Sequence, residues 1–499
     1  MKEVLNNPWN GFSTLEILIA SSVVTLTLTT AVALLHSNTW LLADARTTLD
    51  ALALSHSQLV EAAALGTFDT KLLSEKTGIE VRNGQTYTTK LSLSSLSPFM
   101  TEITSTVTWH DVRDHTVTLK RSVSDIDSAF SGTACDTVAL NSWHTIRKTA
   151  LLPLGTYTHA PISGFSMVGD LLYVTHDNSA GSNPDLTILN TTTLPPTLVA
   201  ATGTNSVSPG LAGISIARTT QDTFVFVANA ATPNWSTCTE SPSCSHVQVL
   251  TANDALQPRV VRSIKIPGIT GTGGQGSAHT IAVYRKHLFV GLTKTGSGPE
   301  FHVFDIGRSP GASATSPKHL GSLSVGRGIQ HILPVGEVAY LATSDNTREL
   351  MVVSITDPQH PSIISIVDTP GSTNFGYGNT LARLGNTVSL GRTYVGNASE
   401  WYTISMRNPA HPTTLSATDI GTTQNPQSVQ ALFITAHRTL LVATNTISLW
   451  DTASTTPLLL LSLPLEGVSA TAAMCHNTRL YVGGLDATGR SVLLVLEGS

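Results

Sequence analysis

A strand that is apolar along its length and ends in a small residue recurs seven times in this chain. The copies are LLYVT (171–175), FVFVA (224–228), HLFVG (287–291), VAYLA (338–342), TVSLG (387–391), TLLVA (439–443) and RLYVG (479–483). Their mean step is about 51 residues, a period that points to repeated supersecondary units. Each copy is followed by a second strand: LTILN, HVQVLTA, FHVFDIG, MVVSITD, WYTISM, TISLWD and VLLVLEG. Outer strands then end at Gly268, Gly326, Gly371, Gly421 and Gly467, with a weaker one at Gly203. Six outer strands therefore serve seven repeats, and an unclaimed strand of the same type, IRKTALLPLG (146–155), stands before the first. Ring closure requires this displacement, because a strand lent from the start to the last repeat leaves no sheet edge open. The expected fold over 146–499 is a seven-bladed, all-β propeller of four-stranded blades, closed by 146–155. An open solenoid or two sandwiches would not need the displaced strand.

Ahead of the repeats, residues 12–35 read FSTLEILIASSVVTLTLTTAVALL, with one charge, Glu16. At ~1.5 Å per residue this stretch is long enough to cross a ~30 Å hydrocarbon core. A lone carboxylate in such a helix is costly and tends to be paired or functional. From His36 to Ala64, Leu41, Leu42, Ala45, Leu49, Leu52 and Leu59 recur at spacings near three and four, which makes one apolar helix face. Gly66 is a natural stop. One long helix over 12–66 is expected, transmembrane over 12–35. Alternating segments at 86–93, 102–110 and 116–123 then predict a small antiparallel sheet within 67–130, followed by a linker at 131–145.

A secretory signal has its charged region first and its cleavage site after the apolar stretch. Here Gly11–Phe12, the candidate cleavage point, comes before it. The order Gly11, Phe12 and Glu16 at the fifth following position resembles the leader of type IV prepilins and pseudopilins over about 30 residues, with 1–11 as the leader. The resemblance implies an α+β pilin-like part, cleavage by a membrane prepilin peptidase and N-methylation of Phe12. It also implies assembly with other pilin subunits through the helix, Glu16 pairing with a neighbour's N-terminal amine. The chain departs from the pattern in the charge balance of Lys2 and Glu3, and in lacking a proline between Phe12 and Gly66. In the repeats, ITDPQHPSI (355–363) and SMRNPAHPTT (405–414) resemble LVIVD-type propeller repeats, while Asp305 and Asp451 keep only the acid. Asp357 and Asn408 are expected to bond their own turns, and His360 and His411 to be turn residues.

The chain holds 28 Lys and Arg against 33 Asp and Glu, a net charge of −5, and charged residues make up only 12%. So few cations exclude dependence on phosphate-backbone contacts, and no direct nucleic-acid binding is expected. Cys238 and Cys244 enclose CTESPSC within the second repeat; without a second Cys pair or histidines they read as a disulfide, which needs an oxidising exterior. Cys135 and Cys475 would fasten the ring seam if bridged, and are otherwise two free thiols. No G-x-S-x-G, H-E-x-x-H, Walker A or EF-hand pattern occurs, so no catalytic residue, metal or cofactor is expected. His279 and His331 begin inner strands of adjacent blades and read as polar channel lining, the alternative being that they meet there; Asp177 and Asp185 read as a plain polar hairpin, the alternative being a calcium site. GTGGQGSA (271–278) precedes a strand, not a helix, so a phosphate cradle is not expected.

The expected protein is a minor pilin-like subunit, held in the cytoplasmic membrane by a single pass and then assembled to the cell surface. Its propeller would bind an extracellular ligand or serve adhesion at a filament tip, without turnover. The alternatives are a pseudopilin of a type II secretion or DNA-uptake apparatus whose propeller binds cargo, or a tethered propeller enzyme.

Overall fold

A computed structural model describes residues 14–66, 76–97, 100–124 and 143–498, apart from 159, 178–183, 204–209, 219–221, 231–232, 242, 254–256, 273, 308, 310, 372–375, 395, 397, 422–426, 436, 455 and 477. Gly11, Phe12, Cys135 and the side chain of Glu16 lie outside the described residues. The chain divides into two compact units, one on 1–94 and 101–123, the other on 95–100 and 124–499.

In the first unit a single helix, α1 (Thr14–Gly66), runs for 53 residues and has two different halves. In the first half Leu18, Ile19, Val23, Val24, Leu26, Leu28, Val32 and Leu34 are each more than half exposed. The hydroxyls between them donate back into the helix: Ser22 to the Leu18 carbonyl at 2.7 Å, Thr25 to Ser21 at 2.7 Å, Thr29 to Thr25 at 2.8 Å and Thr30 to Leu26 at 2.7 Å. Their polarity is thereby spent locally. Among the described residues no helix is long and apolar enough to cross a membrane, so the transmembrane stretch expected over 12–35 is not found there.

The second half is amphipathic. Ala51 and Leu54 bury against Tyr87, Val107 and Trp109, and Leu59 against Leu91 and Ile103. These partners sit on an antiparallel sheet of four strands in sequence order: β1 (Lys76–Arg82), β2 (Gln85–Ser97), β3 (Met100–His110) and β4 (Asp114–Ser124). The sequence reading has three of these strands and lacks β1. KTGIEVR alternates weakly, but Asn83 and Gly84, at φ 50° and 80°, make the tight turn that folds it onto β2.

In the second unit, seven four-stranded antiparallel sheets are present among the described residues. Blades 1 to 6 span 162–202, 211–264, 278–323, 329–367, 378–418 and 429–464. Blade 7 (468–498) takes β5 (Ile146–Thr158) as its outermost strand, antiparallel to Arg490–Gly498, with Ala150 opposite Val495. Each innermost strand touches the next, and that of blade 7 touches that of blade 1, so the ring is closed. This is an all-β propeller.

The recurrent strand is the second of each blade and is almost wholly buried, as in His287–Leu292 and Val338–Thr343. The small residue at its end has a steric cause. A Cβ on Gly291 would lie 2.9 Å from Ile329 of the next blade, on Gly391 2.6 Å from Val429, and on Gly483 2.6 Å from Ile162. Blades approach that closely only where one partner lacks a side chain. The outer strands end earlier than the glycines that mark them in the sequence, at Thr202, Ile264, Leu323, Val367, Thr418 and Pro464. Gly268, Gly326, Gly371 and Gly467 instead occupy the left-handed region in the turns beyond, at φ 74–85°.

Candidate functional site

In an up-and-down meander, loops joining the second to the third strand, and the fourth strand to the next blade, lie on one face of the ring. The two longest stretches on this face, 230–246 and 265–277, are neighbours over blades 2 and 3. They hold two features singled out in the sequence, the CTESPSC loop and the glycine-rich segment.

Cys238 and Cys244 form a disulfide with Cα atoms 6.1 Å apart. Beneath the loop Trp235, 1% exposed, stacks on His246 with ring centres 3.8 Å apart. The Trp235 Nε1–H donates to the Gln275 carbonyl at 3.0 Å, and its backbone N–H to that of Gly271 at 3.3 Å. Lys265 donates to the Cys238 carbonyl. The glycine-rich segment is then tied to the next hairpin. Gly276 N–H donates to the Lys294 carbonyl at 3.1 Å, Thr293 Oγ1 to that of Gly274 at 2.6 Å, and Thr270 N–H to that of Ser297 at 3.1 Å. A Cβ on Gly276 would come within 2.7 Å of Ile269. The glycines thus serve close packing, and these amides serve the fold rather than a phosphate. A cleft of about 390 Å³ opens over the disulfide, lined by the hydroxyl-bearing Thr237, Thr239, Ser241 and Ser243. Its lining is polar and uncharged. It can offer hydrogen bonds to a polar ligand and presents no nucleophile–base pair.

Blades 2 to 5 are braced on this face by a device that sequence reasoning missed. The residue before the third strand is a buried acceptor for backbone N–H groups in the loop that leaves the fourth strand. Glu300 Oε2 accepts from Val325 and Gly326, both at 2.9 Å, and its Oε1 accepts from Thr295 Oγ1 at 3.0 Å. Glu349 accepts from Thr369 at 3.0 Å, and Glu400 from Ile420 at 2.9 Å. His246 Nδ1 fills the same role for Ile266 at 2.9 Å. Burial pushes the Glu400 carboxyl up, while burial, helped by the nearby His302 and Lys265, drives the His246 imidazole down to about 3. Glu349 also faces Arg392 at 3.7 Å, both fully buried. The visible signal is one acid before the strand in PEFHVFD, RELMVVS and SEWYTIS.

His279 and His331 lie on adjacent innermost strands but are engaged separately. His279 bonds the Gln330 side chain, and His331 Nδ1 accepts from Leu381 N–H at 3.1 Å. Burial lowers both, His331 to about 4. The residue bulged out of each innermost strand is Ser163, Ala212, His279, Gln330, Asn379, Gln430 or Thr471. Ser163 and Thr471 donate to backbone carbonyls of the next blade, at Leu211 and Ile162. Asn379 donates to the Val429 carbonyl at 2.7 Å. Asp177 and Asp185 gather no third ligand among the described residues, and burial pushes Asp177 up to about 6. On the opposite face Asp305, Asp357, Asn408 and Asp451 accept from the backbone two residues on, at 2.8–3.1 Å. His360 is an exposed partner of Asp357 in its own turn. Cys475 is buried and not a free thiol; Cys135, the partner expected for it, lies outside the described residues.

A closed propeller with one elaborated, polar face defines a scaffold class that presents loops. No protein-family model matches the sequence, and no curated protein matches it. Among solved structures, a β-propeller domain from Myceliophteria thermophila aligns at 11% identity and TM-score 0.47, covering 71% of this chain and all of that one. A putative 6-phosphogluconolactonase from Bacteroides fragilis aligns at 11% identity and TM-score 0.46, covering 77% of this chain and 97% of that one. Similarity at this level carries no argument about function.

Proposed function

We propose that this chain is a minor pilin-like surface subunit whose helix is retained as an assembly stem and whose propeller recognises a ligand outside the cell. The observation that supports this reading is the contrast within α1. Its second half is buried on the β1–β4 sheet, while the first half exposes large apolar side chains with their intervening hydroxyls already satisfied. Large apolar side chains left this exposed call for a cover of lipid or of other apolar helices. The Gly11–Phe12 junction ahead of it fits removal of a leader that leaves that surface on the mature protein. The disulfide-pinned loop fits an oxidising exterior.

The recognition surface is the braced face over blades 2 and 3, and its role is binding without turnover. Mass spectrometry of the mature protein tests the reading: the expected N-terminus is N-methylated Phe12, lost in Gly11→Ala. An intact Met1 terminus on protein recovered from the soluble fraction would refute it. Immunogold labelling then separates display, with label at filament tips, from a secretion role, with label confined to the envelope. In adherence assays Cys238→Ser with Cys244→Ser is expected to reduce attachment without changing surface amount.

A further inference from the structure

One side-chain cluster belongs to the first unit. Asp44 on α1, Asp111 in the β3–β4 turn and His115 at the start of β4 each offer a ligand atom within 4.8 Å of the other two. His115 Nε2 is 3.1 Å from Asp111 Oδ1, and its Nδ1 is 3.7 Å from Asp44 Oδ1. That Asp44 oxygen is buried and makes no hydrogen bond. The imidazole is held edge-on to the carboxylates by stacking on Trp109, with ring centres 4.9 Å apart and planes within 6°. Asp111 is fixed by accepting from the Arg113 N–H at 3.0 Å, and the Arg113 guanidinium lies 3.5 Å from the other Asp44 oxygen.

We propose that Asp44, Asp111 and His115 bind a divalent transition-metal ion such as zinc, which pins the β3–β4 turn to the stem helix. Two carboxylates and one neutral imidazole balance a +2 charge and form a mixed N/O donor set. That set suits zinc, whereas calcium and magnesium prefer all-oxygen sites. Bonds of about 2.0–2.2 Å place tetrahedral ligands about 3.3 Å apart. The ion takes one of the two His115 nitrogens, and separations of up to 4.8 Å need side-chain adjustment of as much as about 1.5 Å to reach that spacing. Three protein ligands leave a fourth position for water at the exposed Asp111 side. A proton can hold the same residues together, as an imidazolium between two carboxylates, so the experiment must tell the two apart.

The test uses the full chain in detergent, stripped with a chelator and titrated with zinc by calorimetry. One equivalent is expected to bind and to raise the thermal midpoint. Asp111→Asn, at an exposed position, keeps the fold and should weaken that binding by about tenfold or more, as should Asp44→Asn and His115→Ala. His110→Ala removes a neighbouring exposed imidazole on the same turn and should leave binding intact. The circular-dichroism spectrum of each variant identifies any loss that is only unfolding. No zinc uptake, unchanged affinity in Asp111→Asn, or an equal loss in His110→Ala would overturn the site.

Discussion

Glu300, Glu349 and Glu400 hold the same place in three successive blades, and each is at most 3% exposed. A buried carboxylate is tolerated there because backbone N–H donors meet it, joined at Glu349 by the Arg392 guanidinium. Glu300→Ala leaves the Val325 and Gly326 amides without their acceptor and should cost about 3 kcal/mol of stability, with Glu300→Gln costing markedly less. Urea denaturation of the two variants checks the order; equal losses would mean that a neutral amide oxygen cannot stand in for the carboxylate. Gly291 is constrained by its neighbour. Gly291→Val drives a side chain into Ile329 and should lose about 1–3 kcal/mol, read as a lower thermal midpoint. The small residue was visible in HLFVG as a pattern, but its reason was not, since Ile329 is 38 residues away in sequence. The clamping acids were equally hidden. A single Glu before a strand looks like any solvent-facing acid until the fourth strand's loop folds back over it.

Elements were more legible than side chains wherever a period extended over many residues. The seven buried second strands stand out because both faces pack between neighbouring blades, leaving near-continuous apolar runs. The outermost strands were harder to bound. Ser362–Val367 and Thr413–Thr418 are largely exposed, so composition there blends into the turns. β1 was missed because a short edge strand carries little apolar signal, although Asn83–Gly84 announced its turn. β5 is the element on which ring closure depends. A chain beginning at Ile162 would leave Val492, Leu494 and Leu496 on an open edge. Such a truncation is expected to aggregate on size-exclusion chromatography, and a monodisperse monomer would show that the seventh-to-first blade contacts suffice without it.

At the scale of the whole molecule, acid should act on the propeller through its buried histidines. Burial holds His176 and His331 at about 4, and His246 and His302 at about 3, against an ordinary value of 6.5. Below pH 6.5 the unfolded chain takes up protons that the folded head refuses, so stability falls as pH drops from 6.5 towards 4. Asp177 acts the opposite way. Raised to about 6, it favours the fold at low pH and withdraws that support as pH climbs past 6. Glu400, also raised by burial, acts with Asp177, but the lowered imidazoles, His279 among them, outnumber these two carboxyls; calorimetry should find a lower thermal midpoint at pH 5 than at pH 7, and an equal or higher one would contradict this account. The seam joining β5 to the last blade has a temporal corollary. Thr149 bonds the Val495 carbonyl across 346 residues, a loop that cannot shut until nearly all of the sequence has been synthesised. A ring of this kind ripens late, so a nascent chain would carry six unsealed blades until the strands of the last one emerged to meet β5.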